Sequence, residues 1–203
     1  MTNNIQLKAK DIAARIVRII SVPPVMVTLL VVICALSGRK GFQDPVELFM
    51  TILFLAIFPV LAYPLAALIP SVRAKGREGQ RNLAFIVTPI GYILAVLYGV
   101  FISGNPELIS LYFIYLLSVV LLLVANKLLH IRASGHACSV TGPLLFAAWF
   151  FGPIGFFLGL VLFVGILWAS LVAKRHTVSE FMCGAAICLI SCLTVLAFAG
   201  RFL

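Results

Sequence analysis

Charged residues are scarce in this chain. They account for 10% of its 203 residues, and only six of them are acidic, whereas roughly a quarter of the residues in soluble domains are charged. Apolar residues account for 63%, and the mean hydropathy is +1.19. These values exclude an ordinary soluble domain. Because no polar stretch is long enough to form a second domain, we expect a single integral-membrane domain over residues 1–203.

The sequence also lacks the cysteine and histidine spacings that are typical of metal sites, and it shows no internal repeat. We therefore expect no metal ion and no cofactor. The missing repeat argues modestly against a transporter built from two inverted halves. The five cysteines lie in or beside apolar runs, where free cysteine behaves as a small packing residue: Cys34, Cys138, Cys183, Cys188 and Cys192.

Apolar runs alternate with short polar segments along the whole chain. A transmembrane helix needs about 20 mostly apolar residues, and the fifth of the seven runs is short for one. The runs are 19–37, 47–71, 83–103, 108–130, 140–152, 153–172 and 179–200. The sequence therefore predicts an all-α fold, a polytopic membrane bundle of about six to seven transmembrane helices.

The first 18 residues have a different pattern. Ile12, Ile16 and Ile19 recur at helical spacing, and basic residues lie between them. This pattern is typical of an amphipathic helix at the membrane interface that leads into the first span. The alternative is a cleaved signal peptide, but no small-x-small cleavage site follows the apolar run.

Three polar segments separate the apolar runs: the first at 72–82, the second at 131–140 and the third at 173–181. Two apolar runs lie between the first and the second segment, and two more lie between the second and the third. An even number of crossings places all three segments, and the N-terminus, on one face of the membrane.

Basic residues are concentrated on that face. Three lie on the other face (Arg39, Lys40 and Arg201), against twelve on the face of the polar segments: Lys8, Lys10, Arg15, Arg18, Arg73, Lys75, Arg77, Arg81, Lys127, Arg132, Lys174 and Arg175. The positive-inside rule then predicts a multi-pass protein of the cell membrane whose polar segments and N-terminus are cytoplasmic.

The third polar segment contains a histidine and an acid four residues apart. His176 and Glu180 share one face of a helix. A carboxylate beside an imidazole fixes its tautomer and stabilises positive charge on it, and such a histidine can attack phosphorus covalently. A capping or interfacial role is the alternative for this pair.

The second polar segment contains Ser134, Gly135 and His136 at the expected start of a helix. Free backbone N–H groups at a helix start bind anions, and glycine lets an oxyanion approach closely. His136 is placed to donate a proton to a leaving oxygen. The alternative is a loop whose serine caps a helix.

The first polar segment is strongly basic. Arg77 and Arg81 are one helical turn apart, and their planar guanidinium groups suit a phosphate. Arg73 and Lys75 add charge, and Glu78 is the acid beside them. The alternative is a loop that only sets the topology.

Together the three segments resemble the type 2 phosphatidic acid phosphatase superfamily, whose usual signature reads K-x6-R-P, then P-S-G-H, then S-R-x5-H-x3-D. The resemblance covers Lys75 to Gly184, within a motif-bearing core at 72–184. It implies that His176 is the nucleophile, that Glu180 replaces the orienting aspartate and that His136 protonates the leaving group. It also implies a set of phosphate ligands: Lys75, Arg81, Ser134 and Gly135.

The first two motifs depart from that signature in detail. Five residues instead of six separate Lys75 from Arg81, and Asn82 replaces the proline that follows. Ala133 replaces the proline before Ser134.

The third motif departs more seriously, because Ser170 occupies the position of an arginine that binds phosphate. Lys174 or Arg175 is a candidate substitute from the next turn, and Arg77 is another from the first polar segment.

The sequence thus predicts a lipid-phosphate or polyprenyl-diphosphate phosphatase that works without metal through a phosphohistidine. Its partners are the bilayer and a phosphorylated lipid or isoprenoid. We expect no nucleic-acid partner, and a homo-oligomer is compatible with the sequence. The alternative is a transporter or non-catalytic binder of phosphorylated headgroups. A third interpretation, an interaction subunit, leaves the two histidines unexplained.

Overall fold

The computed structural model describes the backbone of residues 2–36, 42 and 44–202, and the side chains of 9–33, 35–36, 42 and 44–199. Of the residues named above, Arg39 and Lys40 lie outside the described residues, as do the side chains of Lys8, Cys34 and Arg201. The helices are α1 (Thr2–Ile20), α2 (Pro23–Leu36), α3 (Pro45–Leu68), α4 (Pro70–Arg73), α5 (Gly76–Ser103), α6 (Pro106–Leu128), α7 (Gly135–Val172) and α8 (Val178–Phe202). This part of the chain contains no strand, which confirms the all-α prediction.

Five of these helices are long and apolar enough to cross a membrane: α3, α5, α6, α7 and α8. A sixth span results if α1 and α2 are counted as one broken helix, bent by 56°. Pro23 and Pro24 cause this break, because proline has no N–H to donate and disfavours helix at the residue before it. A multi-pass membrane protein is therefore supported, while the interfacial placement of α1 remains a prediction.

Helix α7 is folded back on itself at Gly152. This glycine has φ 61° and ψ −140°, which is not helical, and Pro153 begins the second limb. A Cβ on Gly155 would lie 2.0 Å from the carbonyl oxygen of Ala147, and one on Gly159 would lie 3.4 Å from that of Leu144. The limbs 135–151 and 153–172 are therefore antiparallel, and they correspond to the runs 140–152 and 153–172.

Prolines and polar caps begin the helices at the end of the bundle opposite the polar segments. Asp44 caps α3 and Asn105 caps α6, each followed by proline at the first helical position. Glu47 is 2% exposed there, and it accepts hydrogen bonds from Ser103 Oγ at 2.5 Å and Asn105 Nδ2 at 3.1 Å. These bonds join α3 to the turn between α5 and α6, because a buried carboxylate is stable only when its oxygens are paired.

Candidate active site

The second and third polar segments meet at one end of the bundle. The backbone N–H of Ser134 donates to the carbonyl oxygen of Glu180 at 2.9 Å. The two backbones approach this closely because residue 184, one turn further along α8, is glycine. A Cβ at Gly184 would lie 2.2 Å from the carbonyl oxygen of Ser134. The starts of α7 and α8 are therefore held side by side.

His176 lies in a short connection that is fixed at both ends. At its start, α7 ends with N–H bonds from Lys174 to Leu171 O at 3.0 Å and from Arg175 to Ser170 O at 3.1 Å, and Lys174 has φ 50°. This is the Schellman arrangement, with lysine where glycine is usual. His176 follows directly, so its position is set by the end of one helix and the start of the next.

The start of α8 is a capping box. Thr177 Oγ1 accepts from the N–H of Glu180 at 3.2 Å, and Glu180 Oε2 accepts from the N–H of Thr177 at 3.3 Å. The capping role considered for Glu180 is therefore present. The carboxylate also makes two contacts outside the capping box. The same Oε2 lies 3.1 Å from His176 Nδ1, and Oε1 lies 3.5 Å from the guanidinium group of Arg132.

The bond to Glu180 orients the imidazole of His176. With Nδ1 facing the carboxylate, Nε2 points away, and no described residue is bonded to it. The His176 side chain is a quarter exposed, so the ring is partly accessible from outside the bundle. A ring held at one nitrogen and open at the other is the arrangement that a nucleophilic imidazole requires.

His136 faces the same region from the first turn of α7. Its Nε2 lies 3.3 Å from the hydroxyl of Ser21, which is buried in the α1–α2 break. His136 is also close enough to interact electrostatically with both Arg18 and His176. The two histidines that the sequence singled out are thus within electrostatic range of each other, on different helices.

Ser134 and Gly135 form the start of α7. The Ser134 hydroxyl is fully buried and accepts from the N–H of Ala137 at 3.2 Å, so it caps the helix, and direct phosphate binding by Ser134 stays a prediction. Gly135 has only Leu122 near its absent Cβ, at an ordinary 3.6 Å. The first N–H groups of a helix have no intrahelical partner, which leaves those of Gly135 and His136 available to an anion.

The first polar segment is connected to the site through α6. The Arg81 guanidinium group donates to Asn126 Oδ1 at 2.8 Å, and Asn126 Nδ2 donates to the carbonyl oxygen of Ala133 at 3.2 Å. Arg81 is therefore directed at Asn126, whereas Arg77 lies within electrostatic range of Arg18. The two arginines lie near different groups, although they are one turn apart.

Lys75 and Arg175 are exposed, and neither side chain bonds to another described residue. Lys75 precedes α5, and Arg175 follows α7. Both lie on the face that carries the other site residues. Their assignment as phosphate ligands stays a prediction.

Three residues of this site were not assigned to it from the sequence: Arg18, Ser21 and Arg132. Arg132 adjoins the Ser-Gly-His motif. It lies in a polar segment that contains no acidic residue, and this pattern could have indicated its place in the site. Arg18 and Ser21 belong to the N-terminal helix and its break. Only the packing of α1 against α7 brings them to the histidines.

The site as a whole carries excess positive charge. Arg18 of α1 lies within electrostatic range of His136 and of Arg77 from α5, and Arg132 from the loop before α7 contacts the Glu180 carboxylate. Such a cluster beside hydrocarbon makes this end of the bundle a candidate site for an anion. No family model matches the chain, and neither a curated protein nor a solved structure matches it. What the site binds is therefore inferred from its own residues.

Proposed function

We propose that this protein is a membrane lipid phosphatase that hydrolyses a phosphomonoester or diphosphate through a phosphohistidine. The observation that carries the proposal is the His176 ring, held at Nδ1 by Glu180 with Nε2 unpartnered, beside a second histidine from another helix.

In the first step, His176 Nε2 attacks phosphorus, and the bond from phosphorus to the leaving oxygen breaks. His136 donates a proton to that oxygen, so the lipid leaves as an alcohol or as a monophosphate. Positive charge on the phosphorylated His176 ring is stabilised by the Glu180 carboxylate. The surrounding arginines stabilise the charge on the transferring phosphoryl oxygens.

In the second step, water attacks the phosphorus of the phosphohistidine. His136, now neutral, accepts a proton from that water, the N–P bond breaks, and inorganic phosphate is released. Both histidines return to their starting states, and no metal ion takes part.

The lipid chain of the substrate has a place near the site. An apolar groove of about 370 Å³ opens between α2 and α3, lined by Pro24, Val25, Thr28, Leu29, Ala56, Ile57, Val60 and Leu61. It begins three residues after Ser21, which contacts His136. We propose that an acyl or prenyl chain lies there while the headgroup reaches the histidines. The substrate candidates are phosphatidic acid, phosphatidylglycerol phosphate and polyprenyl diphosphates, with the four cations of the first polar segment favouring a diphosphate.

The second candidate is a transporter or non-catalytic binder of the same headgroups. Ser170 favours it, because this residue is 1% exposed and supplies no charge where the phosphatase pattern has an arginine. An anion site without turnover needs the cationic cluster but not an oriented nucleophile.

Phosphate release from the purified protein distinguishes the two candidates. The protein in detergent is given each candidate lipid in mixed micelles, with and without a chelator. We expect release from at least one of them at an unchanged rate in the chelator. Binding of these lipids without release from any of them would favour the transporter or binder.

Glu180→Gln separates the capping role from the catalytic one. Glutamine serves a capping box as glutamate does, so the melting temperature should be unchanged. The charge that stabilises the His176 imidazolium is lost, so kcat should fall, although by less than on loss of the nucleophile. Glu78→Gln is the matched control, since it removes an exposed acid on the same face. A lower melting temperature with unchanged kcat would mean that Glu180 only caps α8.

We also propose that the site faces the cytoplasm, on the basis of the basic residues around it. Glu78 and Glu107 are both exposed and lie at opposite ends of α5 and α6. In a cysteine-free background, an impermeant maleimide should label Glu107→Cys on intact cells and Glu78→Cys only after permeabilisation. The reverse pattern would place the site outside.

A further inference from the structure

Arg18 has an unusual environment for a residue of an amphipathic helix. It lies in the last turn of α1, where that helix packs against α7. Its Nε is buried and has no hydrogen-bond partner among the described residues. A buried, unpaired donor of a guanidinium group costs free energy, so Arg18 Nε is a candidate donor to a bound anion.

The groups around Arg18 do not neutralise it. It interacts electrostatically with Arg77 from α5 and with His136 from α7. Arg77 is a cation, and His136 adds a second positive charge whenever it is protonated. Ser21, three residues further along the chain, bonds to His136. The end of α1 and the α1–α2 break are therefore part of the wall of the histidine site.

Ser170 is a buried residue in the second limb of α7. Its hydroxyl has no partner among the described residues, and the side chain is buried. Ile166, one turn earlier on the same limb of α7, packs in one apolar cluster with Val17, and Arg18 follows Val17. Helix α1 packs against α7, so Arg18 and the position where the phosphatase pattern has an arginine lie on helices that contact each other.

We propose that Arg18 is a ligand of the substrate's phosphate group and supplies, from α1, the guanidinium group that Ser170 does not. The inference rests on the proposed function for the nature of the substrate. It assigns the N-terminal helix to the site itself, beyond any role as an anchor. The phosphate would satisfy the buried Nε and would separate the charges of Arg18 and Arg77.

Arg18→Gln tests this, with Arg15→Gln as the matched control. Arg15 lies three residues earlier on the same helix and is exposed, so the control removes the same charge outside the site. We expect kcat/KM to fall about tenfold to a hundredfold in Arg18→Gln, as for loss of a hydrogen bond to a charged group, and to change less than twofold in Arg15→Gln. Arg18→Lys should recover part of the loss, since it restores the charge without the planar fork.

A second readout does not depend on turnover. Inorganic phosphate should raise the melting temperature of the unmodified protein in maltoside detergent and should have little effect on Arg18→Gln. Without phosphate, Arg18→Gln should melt at the same temperature as the unmodified protein or higher, because it removes a guanidinium group whose buried Nε has no hydrogen-bond partner among the described residues. A purely structural arginine would give a lower melting temperature instead.

The outcomes separate this inference from the proposed function. If the unmodified protein releases phosphate and Arg18→Gln behaves as Arg15→Gln in both readouts, the inference is wrong and the function stands. If no lipid is hydrolysed but the phosphate effect on melting is lost in Arg18→Gln, the ligand assignment holds and the enzyme proposal fails. A difference that appears only in nanodiscs of anionic phospholipid, and never in detergent, would assign Arg18 to bulk lipid headgroups and overturn the inference.

Discussion

Replacing His176 by alanine is expected to abolish phosphate release while leaving binding of the phosphorylated lipid largely intact. The loss should be on the order of a thousandfold or more, because the nucleophile is removed and no neighbouring group replaces it. Binding should persist because the arginines of the site remain. Steady-state phosphate release measures turnover, and phosphate-dependent thermal stabilisation measures binding.

His130→Asn is the control for this substitution. His130 is exposed near the same end of the bundle, and asparagine tolerates its left-handed backbone (φ 54°). It should keep full activity. Radiolabelled substrate should also leave label on the unmodified protein, and none on His176→Ala. Unchanged phosphate release by His176→Ala would refute the phosphohistidine mechanism.

The positions of the helices could be predicted from the sequence, whereas several of their ends could not. The run 83–103 marks the apolar part of α5, but the helix begins seven residues earlier, at Gly76. Hydropathy reports the part of a helix that suits hydrocarbon, and a polar first turn carries no such signal. The break at Gly152 did follow from the sequence, because glycine adopts positive φ and Pro153 begins a new helix.

The first apolar run was less well predicted. Residues 19–37 suggest one continuous span, yet α1 ends at Ile20 and α2 begins at Pro23 after a bend. The described length of α2, Pro23–Leu36, corresponds to about 21 Å at 1.5 Å per residue, which is short for a span. Two consecutive prolines indicated a helix start within this run, but the direction of the chain before them depends on packing against α7.

The candidate site was predictable where local spacing determines it. His176 and Glu180 are one helical turn apart, so their contact follows from the helix alone. The approach of His136 depends on the Ser134–Gly184 contact between distant segments. Arg18 was not predicted for a similar reason. Lys10, Arg15 and Arg18 are equivalent in an amphipathic pattern, and only tertiary packing decides which of them turns inward.

Gly184 is therefore the position where a small change should have a large effect on the site. In Gly184→Ala the new Cβ would lie 2.2 Å from the carbonyl oxygen of Ser134 and 3.0 Å from its carbonyl carbon. These are backbone atoms, so α7 and α8 must move apart, with a loss of stability of about 1–3 kcal/mol. The bond from Ser134 N to Glu180 O should weaken, and His136 should shift relative to His176. A displacement of about 1 Å between reacting groups can cost roughly a hundredfold in rate.

Gly165→Ala is the matched control, because Gly165 is also in an apolar helix and a Cβ there meets nothing within 4 Å. It should leave kcat unchanged and should raise the melting temperature slightly, since alanine favours helix over glycine.

Gly184→Ala should melt at a lower temperature than the unmodified protein. When it is assayed well below that temperature, so that the protein stays folded, its kcat should be about a hundredfold lower. Because the substitution removes no side chain from the site, such a loss would show that the spacing between α7 and α8 positions the residues at the starts of these helices. Equal activity and equal melting behaviour of the two variants would mean that the helix starts are not held this closely, and the pairing of His136 with His176 would then lose its structural basis.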